Sequence, residues 1–573
     1  MTASLRVLVI GGYGVFGGRL IELLEDEPAL TLLVAGRSLD RARKFCCVRA
    51  HALAQLAATA FNRGSRIAEQ LAALAPDIVV DASGPFQGYG PAGYELVEHC
   101  IRGCIHYLDM ADGSDFVAGI SRFDTAARNA GVFVLSGVSS FPVLTAAVVT
   151  ELAKSLAKVT SIRGGIAPSP HAGVGRNVIR AITSYAGQPV SLRRGGVDKI
   201  GYPFTELIAF VIAVPGRIPL QRRRFSLVDV PDLRALLVRW PDAKDVWMGA
   251  GPVPMSLHWA LVGFAWLVRL RLLPGLSWLA SLMHVVTSHA QRGEDRGGMF
   301  VEVKGLTAQG EDVVRTWHLL AEGRDGPLIP SMAVEAVVRS TLLGESPLAG
   351  ARPAICEVSL SQYERLFAQR SIHTGFREPI GAVSLYRRIL GSAWDRLPEP
   401  IQCLHSVTSS ASFAGRCDVQ RGRHPLGRIL AALIGFPLAG AGQSIVVRLT
   451  AEGDVERWVR TIGGRSFSSH QRAGNGAAAW LLSERFGAIT VDMALVATDS
   501  GLGYVVRRWS AFGIPLPLWL GPRSSASESV EDGAFAFDVA ISHPFIGLIV
   551  RYRGVLRSSA AARDAEPTPI QAS

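Results

Sequence analysis

Between an apolar run, Leu5–Ile10, and a periodic segment, Phe16–Glu25, the chain reads Gly11-Gly12-Tyr13-Gly14-Val15-Phe16-Gly17. No other feature limits its fold so strongly. Two spacings are met together, Gly12-x-Gly14-x-x-Gly17 and Gly11-x-x-Gly14-x-x-Gly17. In a strand–turn–helix unit one glycine permits the tight turn, the next lets backbone amides approach a pyrophosphate, and the last lets helix and strand pack closely. The helix then presents its partly positive N-terminus to the anion. The expectation is a dinucleotide cradle at Gly11, Gly12, Tyr13, Gly14, Val15, Phe16 and Gly17.

The runs Leu5–Ile10, Leu30–Ala35, Asp77–Asp81, His106–Asp109 and Val132–Leu135 are nearly continuous in apolar residues, as buried parallel strands are. Helical stretches between them imply right-handed βα units, hence a Rossmann domain over 1–145. After the second run, where an NAD site carries an acid for the ribose hydroxyls, stands Arg37 in Ala35-Gly36-Arg37-Ser38. A guanidinium fork with a neighbouring hydroxyl suits a 2′-phosphate, so NADP is the expected cofactor, held by Arg37 and Ser38. Ser83-Gly84-Pro85-Phe86, after Asp77–Asp81, faces the same crevice and is expected on the nicotinamide side. Tyr107, Asp109 and Asp112 follow or end His106–Asp109 and are the candidates for proton exchange; core packing and helix capping are the competing readings. Ser139 and Ser140 read as helix starters and His171 as a loop residue, each with a possible substrate contact.

Formal charge is +11, with 59 Lys and Arg against 48 Asp and Glu. The arginines are scattered, without the basic, aromatic-interleaved stripe of a nucleic-acid surface, so no nucleic-acid partner is expected. Seven cysteines without a paired CxxC imply neither a zinc site nor a disulfide framework, and no metal is expected. The first strand leaves no room for a signal segment, which gives a cytoplasmic expectation. Val246–Val268 and Leu272–Gln291 lack Asp, Glu, Lys and Arg and are long enough to span a bilayer. Prolines, histidines and the intervening Arg269 and Arg271 favour buried or interfacial helices, which leaves peripheral membrane contact through 246–291 open. Met299–Val303 and Val313–Leu320 flank a turn and read as a hairpin. Further on, Val491, Met493, Leu495 and Ala497 alternate, as do Phe535, Phe537, Val539 and Ile541, marking antiparallel strands with one buried face. His405, Trp458, Arg460, Glu484 and Arg485 are candidate pocket residues there, with Trp458 in the core and Glu484–Arg485 as a surface pair the plainer readings.

Together Gly11–Gly17, Ala35–Ser38, Ser83–Phe86 with Tyr89-Gly90, and His106–Asp109 resemble the saccharopine dehydrogenase-like oxidoreductases. Tyr185-Ala186-Gly187-Gln188-Pro189, Arg296-Gly297-Gly298-Met299 and Gly350-Ala351-Arg352-Pro353 extend the resemblance over about residues 4–365. It implies hydride chemistry with NAD(P) and a second α/β domain, 146–368, that closes over the cofactor. Ala60-Phe61-Asn62-Arg63 departs from the acidic residue that relatives carry after the third strand. Tyr386–Gly391, Leu397-Pro398, Trp458–Arg460, Glu484-Arg485 and Tyr552–Gly554 resemble a bacterial domain of unknown function, placed at 383–557 as a β-rich domain, before a disordered tail at 558–573. The resulting expectation is an α/β Rossmann module with a second α/β domain and an antiparallel C-terminal domain. The function expected is an NADP-dependent oxidoreductase acting on a small, apolar or lipid-like C=N, C=O or C=C substrate. The alternatives are an NADP sensor without turnover and a lipid-binding protein at the inner membrane surface.

Overall fold

The computed structural model describes residues 4–88, 91–173, 175–252, 254–289, 293–378 and 383–558. Tyr89 and Gly90, the end of the charged linker before 383 and the tail beyond Ser558 lie outside the described residues. The chain forms two units, one of residues 1–210 and 223–373, the other of 211–222 and 374–573.

The first unit starts with alternating strands and helices: β1 (Leu5–Ile10), α1 (Val15–Leu24), β2 (Leu30–Gly36), α2 (Leu39–Cys47), β3 (Gln55–Ala60), β4 (Ile78–Asp81), β5 (His106–Asp109) and β6 (Phe133–Ser136). The sheet order is β3-β2-β1-β4-β5-β6, all parallel. Val9 sits opposite Val34 on one side and Val80 on the other. Val7, Leu8, Val9, Leu32 and Val34 are almost wholly buried, as strands covered on both faces must be. The α1 helix buries Leu20, Ile21, Leu23 and Leu24 and leaves Glu22 exposed, so its apolar stripe faces the sheet. Because strand order reverses between β1 and β4, their carboxyl ends open onto a crevice, the ligand position of such sheets. Gly350–Pro353 adds a parallel strand beside β6, so the chain returns to the first sheet after building the second.

The second sheet places Leu207–Phe210, Arg223–Leu227, Asp245–Ala250, Lys158–Ala167, Arg296–Leu306 and Asp312–Glu322 side by side. Lys158–Ala167 pairs parallel with Asp245–Ala250 and antiparallel with Arg296–Leu306. Arg296–Leu306 and Asp312–Glu322 form the expected hairpin. The two long uncharged stretches are subdivided. The first supplies the strand Asp245–Ala250 and the helix Met255–Arg269, and the second the helix Ala280–His289. Among the described residues no helix is long and apolar enough to cross a membrane. The helices are only half covered: Trp259 and Trp266 of the first and Leu282 and Val285 of the second are exposed.

The second unit is a barrel. Its strands run Ser410–Arg421, Gly440–Glu452, Val455–Ile462, Arg465–Ala473, Leu482–Phe486, Ile489–Thr498, Gly501–Ala511, Arg523–Glu531, Ala534–His543 and Gly547–Ser558. Each pairs antiparallel with the next, and the last returns to the first, so the sheet has no open edge along the ring. Alternation then sorts side chains inside and outside. Val491, Met493, Leu495 and Ala497 are buried, while Arg448, Arg457, His470 and Arg472 are exposed.

Candidate functional site

The site begins at the turn after β1. Gly11 has φ 80°, in the left-handed region where a side chain is strained, and its amide donates to Ala35 O at 2.9 Å. A Cβ on Gly17 would lie 2.8 Å from the carbonyl carbon of Gly11, and one on Gly14 2.9 Å from the Gly11 oxygen. Backbone stands on the far side, so neither position has room for a side chain. Gly14 is the N-cap of α1 and supplies no capping side chain. The first-turn amides of α1 therefore keep their donors for an external acceptor, beside exposed Val15 and part-exposed Phe16. An anion fits this end, and a pyrophosphate is the anion such a turn accommodates.

At the end of β2, Arg37 is exposed while Ser38 caps α2, its Oγ accepting from Arg41 N at 3.4 Å. Tyr13 stretches across from the glycine turn. Its hydroxyl accepts from Ser38 N at 3.0 Å and lies where a Cβ on Gly36 would stand. The Arg41 guanidinium lies 4.8 Å from the Tyr13 ring centre. Two arginines thus belong to this edge, exposed Arg37 after β2 and Arg41 in the first turn of α2, and the second carries no sequence signal of its own.

After β4, buried Asp81 accepts from Ser83 N at 3.0 Å and Ser83 Oγ at 2.5 Å and pairs with Arg63 Nε at 3.0 Å. Arg63, in the segment that departs from the family pattern, also donates to Gly93 O at 2.7 Å. Asn177 Nδ2 donates to Gly84 O at 2.7 Å, tying the helix Arg176–Tyr185 to this loop. Ser83, Gly84 and Pro85 border the crevice, whereas Phe86 is buried against Phe116 at 5.1 Å between ring centres.

The three proton-exchange candidates separate. Tyr107 is fully buried in the core, its hydroxyl without a hydrogen-bond partner among the described residues. Asp109 is also fully buried; one oxygen accepts from Gly137 N at 2.8 Å, Ala111 N at 3.0 Å and Ser136 Oγ at 3.0 Å. Burial raises its pKa to about 7 against those hydrogen bonds. Only Asp112 is part-exposed. It accepts from Gln87 Nε2 at 3.1 Å, and burial, assisted by the charge of Asp229, raises its pKa to about 6. Asp229 is hydrogen-bonded by Ser114 Oγ and is likewise raised by burial. The Tyr185 phenol is raised by burial first and then by Asp112 and Asp229. Gln87 belongs to the crevice loop that follows Asp77–Asp81 in the sequence reading and Tyr185 enters that reading only through the resemblance, whereas Asn177 and Asp229 do not enter it, since elements distant in sequence bring them in. Ser140 is buried, and His171 Nδ1 lies 3.4 Å from Asp295. No group of His, Cys, Asp and Glu suited to a metal occurs among the described residues.

The other candidates belong to the barrel. Trp458 is buried, but Glu484 is not a surface partner of Arg485. It is buried and accepts from Arg460 at 3.2 Å and Ser469 at 2.6 Å, because alternation turns Glu484 inward and Arg485 outward. Arg485 donates to Gly487 O instead.

Residues 7–135 match the saccharopine dehydrogenase NADP binding domain, and residues 397–556 match a domain of unknown function, DUF4166. No curated protein is similar enough in sequence to count as a match. Among solved structures, saccharopine dehydrogenase (L-Glu forming) from Saccharomyces cerevisiae is similar at 14% identity and TM-score 0.47, over 66% of this chain and 100% of that one. Biliverdin reductase from Synechocystis sp. PCC 6803 is similar at 12% identity and TM-score 0.28, over 64% of this chain and 98% of that one. The match over 7–135 supports an NAD(P)-dependent oxidoreductase with a dinucleotide-binding domain similar to that of the saccharopine dehydrogenases, and the barrel is similar to a domain of unknown function.

Proposed function

We propose that the first unit is an NADP(H)-dependent oxidoreductase that acts on a C=N, C=O or activated C=C bond of a small, largely apolar molecule. The observation that carries this reading is the pair Arg37, just after β2, and Arg41, in the first turn of α2, beside a helix N-terminus that Gly14 and Gly17 keep clear of side chains. First-turn amides of α1 would hold the pyrophosphate, and the two guanidinium groups the 2′-phosphate. Ser83–Pro85, tied by Asp81 and Asn177, would border the nicotinamide side. Bound there, the cofactor supplies or accepts a hydride. Asp112 is the chain's own proton-exchange group: it is part-exposed, oriented by Gln87 and raised to about 6, near the range where a carboxyl both gives and takes a proton. A wall whose burial raises the pKa of Asp112, Asp229 and Tyr185 is poorly hydrated, which supports an uncharged substrate.

Calorimetric titration with NADPH and NADH tests the phosphate site. Arg37→Ala and Arg41→Ala should each weaken NADPH by about 1.5–3 kcal/mol, the range for hydrogen bonds to charged groups, and barely change NADH. Equal losses for both nucleotides would remove the proposed 2′-phosphate contact.

A second reading concerns location. Trp259 on the helix Met255–Arg269, Trp278 just before the helix Ala280–His289, and Leu282 and Val285 on it are exposed; neither helix carries an acidic residue, and Arg269 and Arg271 lie at and just beyond the end of the first. Apolar side chains flanked by cations suit the surface of an anionic bilayer. We propose peripheral contact there. The protein should float with vesicles of phosphatidylcholine and phosphatidylglycerol and stay at the bottom once Trp259→Glu and Trp278→Glu are combined. Failure of the unaltered protein to float would end this reading.

A further inference from the structure

The second unit encloses a cavity of about 340 Å³ inside its barrel, within the range of roughly 300–1,000 Å³ typical of small-molecule sites. Most of its wall is apolar, with Val447, Met493, Phe535, Phe537, Val539 and Ile541 turned inward. An apolar space of this size gives up contacts between side chains, so a barrel built only for stability would fill it with larger ones.

Polar groups also project into this space, and they are organised. The helices Leu385–Leu390 and Glu399–His405 bring Tyr386 and His405 together, their rings stacked 3.7 Å apart. The His405 imidazole, fully buried, meets Glu528 at 2.7 Å, and the same carboxylate accepts from the Tyr504 hydroxyl at 2.7 Å. The Tyr386 hydroxyl donates to Gln471 at 2.9 Å and lies 3.3 Å from that of Tyr504. Arg460, with only 11% of its side chain exposed, is held by Glu484 and Ser469. Such a network on a cavity wall is costly to desolvate and is no requirement of closing a barrel. Elsewhere along the wall, Leu430 and Ile434 of the helix Pro425–Ile434 face the cavity while Leu426, Ile429 and Leu433 of the same helix are exposed.

We propose that this barrel binds one apolar small molecule that carries a neutral hydrogen-bonding group, a hydroxyl, ketone or amide. The charge balance selects the group. Arg460 is already offset by Glu484, and Glu528 adds a second carboxylate facing the same space. A ligand carboxylate would face the Glu484 and Glu528 carboxylates, while among the described residues Arg460 and His405 are already engaged by them and the lining His543 is hydrogen-bonded to Leu520 O. A neutral oxygen or amide instead meets the Tyr386 and Tyr504 hydroxyls and the Gln471 amide, which both donate and accept. The proposal is independent of the nucleotide reading, since every residue it uses lies in the second unit.

The test uses the full chain and the neutral fluorophore N-phenyl-1-naphthylamine. Its emission should rise and saturate at one probe per chain, unaffected by NADPH. 1-Dodecanol should displace it at concentrations at least ~10-fold below those needed for dodecanoate. Met493→Trp, which fills the cavity, should abolish the response, and Val539→Trp, on another strand, serves if the first variant does not fold. A non-saturating response, equal displacement by acid and alcohol, or full probe binding in a folded cavity-filled variant each overturns the proposal. The competition series needs only the unaltered protein, so it decides even if both variants misfold.

Discussion

Asp112 and Asp109 lie three residues apart, and what separates them is access and hydrogen bonding. Asp109 is fully buried, with backbone amides and a serine fixed on one oxygen, so it organises the β5 and β6 ends rather than meeting a substrate. Its pKa near 7 carries a stability consequence. The unfolded carboxyl titrates near its ordinary value of 3.8, so between about 4 and 7 the folded chain holds the extra proton. Stability should therefore fall as pH rises through that window, and Asp109→Asn should flatten the dependence measured by urea unfolding. An unchanged slope would place the titration elsewhere. For Asp112, burial is the larger cause of its raised pKa and the Asp229 charge a smaller one. Asp229→Asn should lower the Asp112 pKa toward, but not to, the ordinary carboxyl value, read from the carbon-13 shift of its carboxyl. A rise would contradict the repulsion.

At the scale of elements, the strand–turn–helix around α1 is a closed geometric argument. A methyl group on Gly17 collides with the backbone of Gly11, which cannot yield without moving β1, so Gly17→Ala should cost about 1–3 kcal/mol, as overpacking does. It should also weaken NADPH and NADH together, unlike the arginine variants. Gly64→Ala, whose added carbon would meet only Asn62 Oδ1 at 3.6 Å, should be nearly neutral in thermal unfolding. Full nucleotide affinity in Gly17→Ala would show that the turn is not the phosphate cradle. This unit was legible in sequence because its signals are local: buried parallel strands are continuous apolar runs, and the glycines fall at fixed offsets. The inward alternation of Val491–Ala497 was legible for the same reason, since a period of two depends only on the strand itself. Ring closure of the barrel was not, because it rests on the first and last strands pairing across more than a hundred residues. For Glu484, which lines the barrel cavity with Trp458 and Arg460, the plainer reading of a surface pair fails for a related cause: adjacency in sequence puts it beside Arg485, while the pleat turns it toward Arg460.

The whole molecule shows one feature that no local pattern announces. The second unit is assembled from two separate pieces of chain, and 211–222 interrupts the second sheet between Leu207–Phe210 and Arg223–Leu227. Ile212, Ala213, Val214 and Leu220 in this insert are buried. Its backbone also completes hydrogen bonds that the C-terminal residues cannot complete alone. Ala213 O accepts from Arg377 Nε at 2.6 Å, and Gly216 O from Ala497 N at 3.2 Å. Arg377 is buried, and desolvation depresses its guanidinium to about 9, so the loss of one acceptor leaves a cation poorly compensated. Each buried Ile, Val or Leu side chain is worth about 1.5–3 kcal/mol, and a domain is stable by only roughly 5–15 kcal/mol. A fragment of residues 374–558 should consequently unfold at a distinctly lower urea concentration than the same region in the full chain, followed through the tryptophans of the barrel. Adding a peptide of residues 211–222 should recover part of the difference, whereas a peptide with Ile212→Ser and Val214→Ser should not. Equal urea midpoints for the fragment and the full chain would mean that the C-terminal residues hold the barrel unaided and that the insert is merely passing through.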